Sequence, residues 1–153
     1  MKSNAFGIIT STVSILSILF TFTKKLFSKK DIITSILTVA LADSMADGLG
    51  IYTYETSNKE SYTKSIHQGL QAMFSKLLTS LVYVIPFIVT KNIEQGILIS
   101  SIIGTIKIIY FSNKVAEDRK EDKIKVISTN FILAFIVVFV TYYISLFIES
   151  LFN

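Results

Sequence analysis

The sequence predicts an all-α integral membrane protein, a single domain over residues 1–153 with five transmembrane helices. Three observations predict it. Hydrophobic residues make up 51% of the chain and charged ones only 17%, against about 25% charged in ordinary soluble domains. Five apolar blocks, 4–23, 32–55, 62–90, 93–111 and 126–148, are each about 20 residues or longer, and at ~1.5 Å per residue such a helix matches a ~30 Å hydrocarbon core. One proline and six glycines leave room for few and short loops.

The composition also excludes several function classes. With no cysteine there is no disulfide, thiolate metal site or thiol nucleophile. One histidine cannot build a multi-histidine centre within one chain. The basic residues are spread between apolar blocks, as membrane-flanking anchors are, so the expected partner is a lipid bilayer and not a nucleic acid.

The first block, 4–23, carries no charge and no A-x-A-like cleavage site follows it, so it reads as a span and not as a leader. Its serines and threonines are expected to bond to other helices. A basic turn follows (Lys24, Lys25, Lys29, Lys30), and Ser28 with Asp31 three residues later predicts a capping box for the second helix.

In the second helix, Ala40, Asp43, Asp47, Gly50 and Tyr54 fall on one stripe. Gly48 and Gly50 are expected to allow another backbone to come close. Ser57 or Ser61 is the expected N-cap of the third helix. That helix opens with an amphipathic part, 62–73, carrying Lys64, His67, Gln68 and Gln71. Lys76 is expected to snorkel back to the interface, and Pro86 to kink the last turns.

The fourth span opens on Glu94, and Lys107 is expected within snorkelling reach of its end. Residues 113–125, dense in both charges, read as a solvated loop. The fifth span has no charge and is expected to pack against lipid, with Tyr142 and Tyr143 in an interfacial aromatic belt. With the N-terminus inside, ten of the fifteen basic residues fall on the cytoplasmic side, so a multi-pass protein with a cytoplasmic N-terminus is expected.

The candidate site is the second helix. A carboxylate at mid-bilayer depth costs about 2.5–3.5 kcal/mol on insertion scales, and such groups face a protein interior or a wet cavity. Asp43 and Asp47, four residues apart, share a helical face. They offer hard oxygen ligands suited to Mn²⁺, Fe²⁺, Mg²⁺, Ca²⁺ or protons, with Met45 and Ser44 nearby. One chain supplies too few ligands for a closed cage, and Gly48 and Gly50 favour close helix contact, so a homodimer with four such carboxylates is expected. Glu55, Glu60 and His67 form a candidate cation-collecting vestibule. The alternative is a structural polar network, the acids paired with Lys76 or Lys107, in a small accessory or assembly membrane protein. No HExxH, GxSxG or P-loop is present, so no enzyme activity and no resident cofactor are expected.

The run Gly50-Ile51-Tyr52-Thr53-Tyr54-Glu55-Thr56-Ser57-Asn58-Lys59-Glu60 resembles the second-helix signature S-M-A-x-G-E-Y-x-S-x-x-S-Q-R-D/E of the vacuolar iron transporter family, which includes yeast-type iron and manganese transporters. Ala72-Met73-Phe74-Ser75 through Ile85-Pro86-Phe87 resembles that family's third helix, and Thr141-Tyr142-Tyr143-Ile144 its closing T-Y-x-I-G pattern. The resemblance implies five helices, a dimer, and transport of a divalent cation such as Fe²⁺ or Mn²⁺, driven by protons; the residues expected to bind the metal in this chain are Asp43, Asp47, Met45, Glu55 and Glu60. The chain departs from the pattern in three places. Its first helix has no aspartate, Ile51 stands where the signature has glutamate, and Asp47 stands where the family's pathway has methionine. The glutamate-rich insertion of some members is absent between the second and third helices.

Overall fold

The computed structural model describes residues 2–23 and 27–152, and Lys24 and Lys25 of the expected basic turn lie outside them. The described residues form six α-helices: α1 Lys2–Thr21, α2 Lys29–Ser57, α3 Tyr62–Leu81, α4 Ile85–Val89, α5 Ile93–Arg119 and α6 Lys123–Phe152. No strand occurs among the described residues. Among the described residues four stretches are long and apolar enough to cross a bilayer, Lys29–Ser57, Tyr62–Val89, Ile93–Arg119 and Lys123–Phe152, and Gly7–Thr21 is a shorter apolar helix. This is the make-up of a multi-pass membrane protein.

The helix ends follow local chemistry. Ser28 caps α2 through the expected box: its hydroxyl accepts from the Asp31 backbone N–H at 3.2 Å, and the Asp31 carboxylate accepts from the Ser28 N–H at 2.9 Å. Ser61 occupies the N-cap position of α3, but its side chain makes no capping bond. Tyr52 and Tyr62 pack edge to face across the α2–α3 turn, ring centres 6.3 Å apart. The third span is broken by a 3₁₀ turn at Val82–Val84. Pro86 has no N–H and its ring crowds the carbonyl four residues earlier, that of Val82, so the chain tightens one turn before the proline.

Two expectations about α5 are overturned. The helix runs to Arg119, and the stretch read as a loop over 113–125 is helical except for residues 120–122. Small residues explain it. Gly96, Ser100, Gly104, Ile108, Ser112 and Ala116 form one buried stripe with a residue every four positions, and the charges lie on the opposite, solvated face. Lys107 is not turned toward the end of the helix: its ammonium points inward and donates to the Thr79 carbonyl.

α1 is the central helix. It touches α2, α3, α5 and α6, while α2 with α3 and α5 with α6 form two hairpins around it. Ile15, Leu16 and Leu19 of α1 meet Ile32 and Ile36 of α2, Tyr83, Phe87 and Ile97 in the apolar core. That core gathers at the C-terminal end of α1 and leaves the polar contacts at the other end. α6 buries only Ala134; its large apolar side chains, Phe135, Phe139 and Tyr143 among them, are exposed.

The buried stripe of α2 is Ile32, Ile36, Ala40, Ser44 and Gly48, with Asp43 and Asp47 beside it facing α3, while Gly50 and Tyr54 of the expected stripe are exposed. A Cβ on Gly69 would lie 2.7 Å from the Gly48 carbonyl oxygen, and one on Gly48 would lie 2.9 Å from Met73 Cβ. Gly48 is therefore needed for close approach. Gly50 is not, since a Cβ there meets nothing within 4 Å. We expect Gly50→Ala to raise thermal stability modestly, by up to about 1 kcal/mol from reduced backbone freedom. Thermal unfolding in detergent, with Gly48→Ala in parallel and expected to be destabilising, measures the contrast.

Candidate functional site

Lys76 sits on the buried stripe of α3, among Ser65, Gly69, Ala72 and Ser80. Small neighbours bring α1 and α2 close to it, so its long side chain runs inward. It is 3% exposed, and its Nζ reaches Asp47 Oδ2 at 2.7 Å and Asp43 Oδ2 at 3.2 Å. The expected snorkelling of Lys76 is thus corrected. A lysine with two carboxylates within reach on the facing helix gains more from pairing than from returning to water, because taking an unpaired ammonium out of water costs several kcal/mol.

The two acids are held differently. Asp47 accepts an aligned hydrogen bond from Lys76. Asp43 Oδ2 is enclosed and receives no aligned hydrogen bond among the described residues, only the charge of the ammonium. Both side chains stay partly reachable, 30% exposed for Asp43 and 27% for Asp47. Gly7 of α1 closes the site from the third side: a Cβ there would lie 3.2 Å from Asp47 Oδ2. Two carboxylates against one ammonium leave the cluster one unit negative.

A polar line leads from the cluster along the α1–α3 seam. Ser80, one turn beyond Lys76, shares a hydrogen bond with Ser11, and the Tyr83 hydroxyl donates to Thr12 at 3.1 Å. Gly7, Ser11 and Thr12 meet Asp47 with Lys76, Ser80 and Tyr83 in the same order, so α1 runs parallel to α3. From Lys76 to Tyr83 the line covers about 10 Å at ~1.5 Å per residue. At its far end Lys107 donates to the Thr79 carbonyl at 2.7 Å and stands 4.4 Å above the Tyr83 ring. The ring's negative face and a carbonyl together hold a cation that has no carboxylate here.

The other candidate residues lie apart from this cluster. Met45 is 56% exposed on the outer side of α2. The Gln68 side-chain amide, with its nitrogen toward Glu55, donates to both carboxylate oxygens at 2.8 and 3.1 Å. Glu60 pairs with Lys64 at 2.8 Å on an exposed face, and His67 is exposed. Among the described residues no three acid or histidine side chains lie close enough to hold one ion. Reading the sequence for acids missed the roles of Tyr83 and Lys107, while the bonds of Ser11 and Thr12 to Ser80 and Tyr83 are of the kind expected of the first helix. The signal for Lys76 was present, a lysine in register with Gly69, Ala72 and Ser80.

Comparison with family models, with curated proteins and with solved structures gave no match. The functional reading therefore rests on the residues and their geometry.

Proposed function

We propose that this chain carries a divalent cation across a bilayer, seated on the Asp43 and Asp47 carboxylates, with Lys76 as their built-in counter-charge. The observation that carries the reading is the convergence of two partly reachable carboxylates of α2 on one fully enclosed ammonium of α3. Ionisable groups inside an apolar helical bundle are costly, and well-packed apolar replacements are often as stable or more so. Their presence is accounted for by a task. The oxygens suit Mn²⁺ or Fe²⁺, the site carries one negative charge in excess, and an arriving cation can take the place of the ammonium. The likeness of the second helix to vacuolar iron transporters supports the same reading. The reading includes a five-span arrangement with a cytoplasmic N-terminus, in which α1 crosses at the centre. A second copy of the chain, set against α2, would complete the coordination that one chain leaves open.

The completed Lys76 pairing also favours a second reading, that of an accessory membrane protein in which the triad only fixes the packing of α1, α2 and α3. Metal-dependent stabilisation of the purified protein separates the two. A ligand that binds only the folded state adds about 2.7 kcal/mol at a hundredfold excess over its Kd. Mn²⁺ is expected to raise the unfolding temperature of the wild type, while Mg²⁺ does so less and Asp43→Asn abolishes the rise. No metal-dependent rise in the wild type favours the accessory protein.

A further inference from the structure

A second site lies on the other side of α1. A cleft of about 670 Å³ separates α1 from α6, with the end of α5 closing one edge. This is within the range of about 300–1,000 Å³ common to clefts that hold small ligands. Its walls are apolar, with Ile9 and Val13 on α1 facing Leu133, Ala134 and Val137 on α6. Its mouth is charged with both signs: Asp118, Arg119, Glu121 and Lys125. Among the described residues these four side chains form no ion pair with one another or with any neighbour, whereas nearby Glu117 and Lys123 do pair.

From Lys125 to Val137 the cleft follows α6 for about 18 Å at ~1.5 Å per residue. That is a little more than one leaflet of a ~30 Å hydrocarbon core. The charged mouth lies where the α5–α6 turn leaves the apolar region, and the long edge of the cleft belongs to the helix whose remaining surface is apolar and exposed. Charges at one end and an apolar trough one leaflet deep match a lipid standing in its own leaflet.

We propose that this cleft holds one glycerophospholipid with a zwitterionic, amine-bearing headgroup. Arg119 and Lys125 take its phosphate, Asp118 and Glu121 take its ammonium, and an acyl chain lies between α1 and α6. Two cations alone would select an anionic lipid. The two carboxylates beside them repel added negative charge and give the positive end of the headgroup a partner. Such a lipid would add packing between α6 and the rest of the bundle, where Ala134 is the one α6 side chain fully buried by protein.

The test uses the full chain in liposomes containing a trace of phosphatidylethanolamine with a photoactivatable group on its acyl chain. After illumination, labelled positions are mapped by peptide mass spectrometry. Labelling is expected at residues 9–14 and 129–137. It should fall with added unlabelled phosphatidylethanolamine and persist with equal amounts of phosphatidylglycerol. Arg119→Gln with Lys125→Gln is expected to remove that preference while α6 stays folded, since both side chains are exposed. Label spread evenly over Phe139, Tyr143 and Phe147, which lie outside the cleft and are exposed, would mean only the bulk lipid around α6 and would overturn the proposal. Equal competition by the two lipids would overturn it as well. So would cross-linking that places a second copy of the chain in the cleft.

Discussion

Lys76→Met is expected to be the most damaging single substitution, lowering stability by roughly 3 kcal/mol or more. The methionine fills the same space but leaves Asp43 and Asp47 facing each other in an enclosed site. Breaking a buried pair by removing one partner costs about 3–5 kcal/mol, because the remaining charge is uncompensated; the partial exposure of the acids sets this case near the lower end. Neutralising the acids as well, in Asp43→Asn/Asp47→Asn/Lys76→Met, is expected to restore most of the loss. Thermal or denaturant unfolding in mild detergent reads both. The cation reading adds a second result: Mn²⁺ should stabilise Lys76→Met more than the wild type, since the seat is then free of its ammonium. Equal stability of Lys76→Met and the wild type would mean that the ion pairs do not hold α2 to α3.

Gly69→Val carries the second large effect. The added Cβ would stand 2.7 Å from the Gly48 carbonyl and 3.1 Å from Tyr52 Cβ. The nearest atom is backbone on a long helix, so it has no rotamer by which to move aside. Overpacking typically costs about 1–3 kcal/mol, and a branched side chain at a backbone contact belongs at the upper end. Separating α2 from α3 here would also lengthen the Lys76 contacts, two turns further along α3. The expected outcome is a lower unfolding temperature together with a lower apparent affinity for Mn²⁺. A variant as stable as the wild type would contradict the close crossing of α2 and α3.

Much of this architecture was legible because a bilayer makes strong demands on sequence. The uncharged run of α6, the Ser28–Asp31 cap and the break ahead of Pro86 follow from composition and local chemistry alone. α5 was harder. A run of charges over 113–125 looks like a solvated loop, yet Ser112 and Ala116 continue a four-residue stripe of small side chains, and a helix can wear its charges on the far side. The site was legible in part. The two aspartates stand out by their cost in an apolar run, and the choice of partner between Lys76 and Lys107 had to wait for the fold. Depth decides it. Lys76 faces α2 across a seam of small residues, whereas Lys107 comes from the other hairpin and ends on a carbonyl and an aromatic face. Gly48 and Gly50 look alike in sequence, and only the position of α3 separates them.

Cation flux through the purified protein in liposomes addresses the central claim most directly. Mn²⁺ and Fe²⁺ uptake into sealed proteoliposomes would be followed for the wild type, Asp43→Asn and Asp47→Asn. Asparagine keeps the size and hydrogen-bonding capacity of each acid and removes its charge. The expected result is saturable uptake by the wild type and a loss of tenfold or more in each variant that still folds. Uptake by both folded variants at the wild-type rate would contradict the claim and leave Asp43, Asp47 and Lys76 as structural ion pairs.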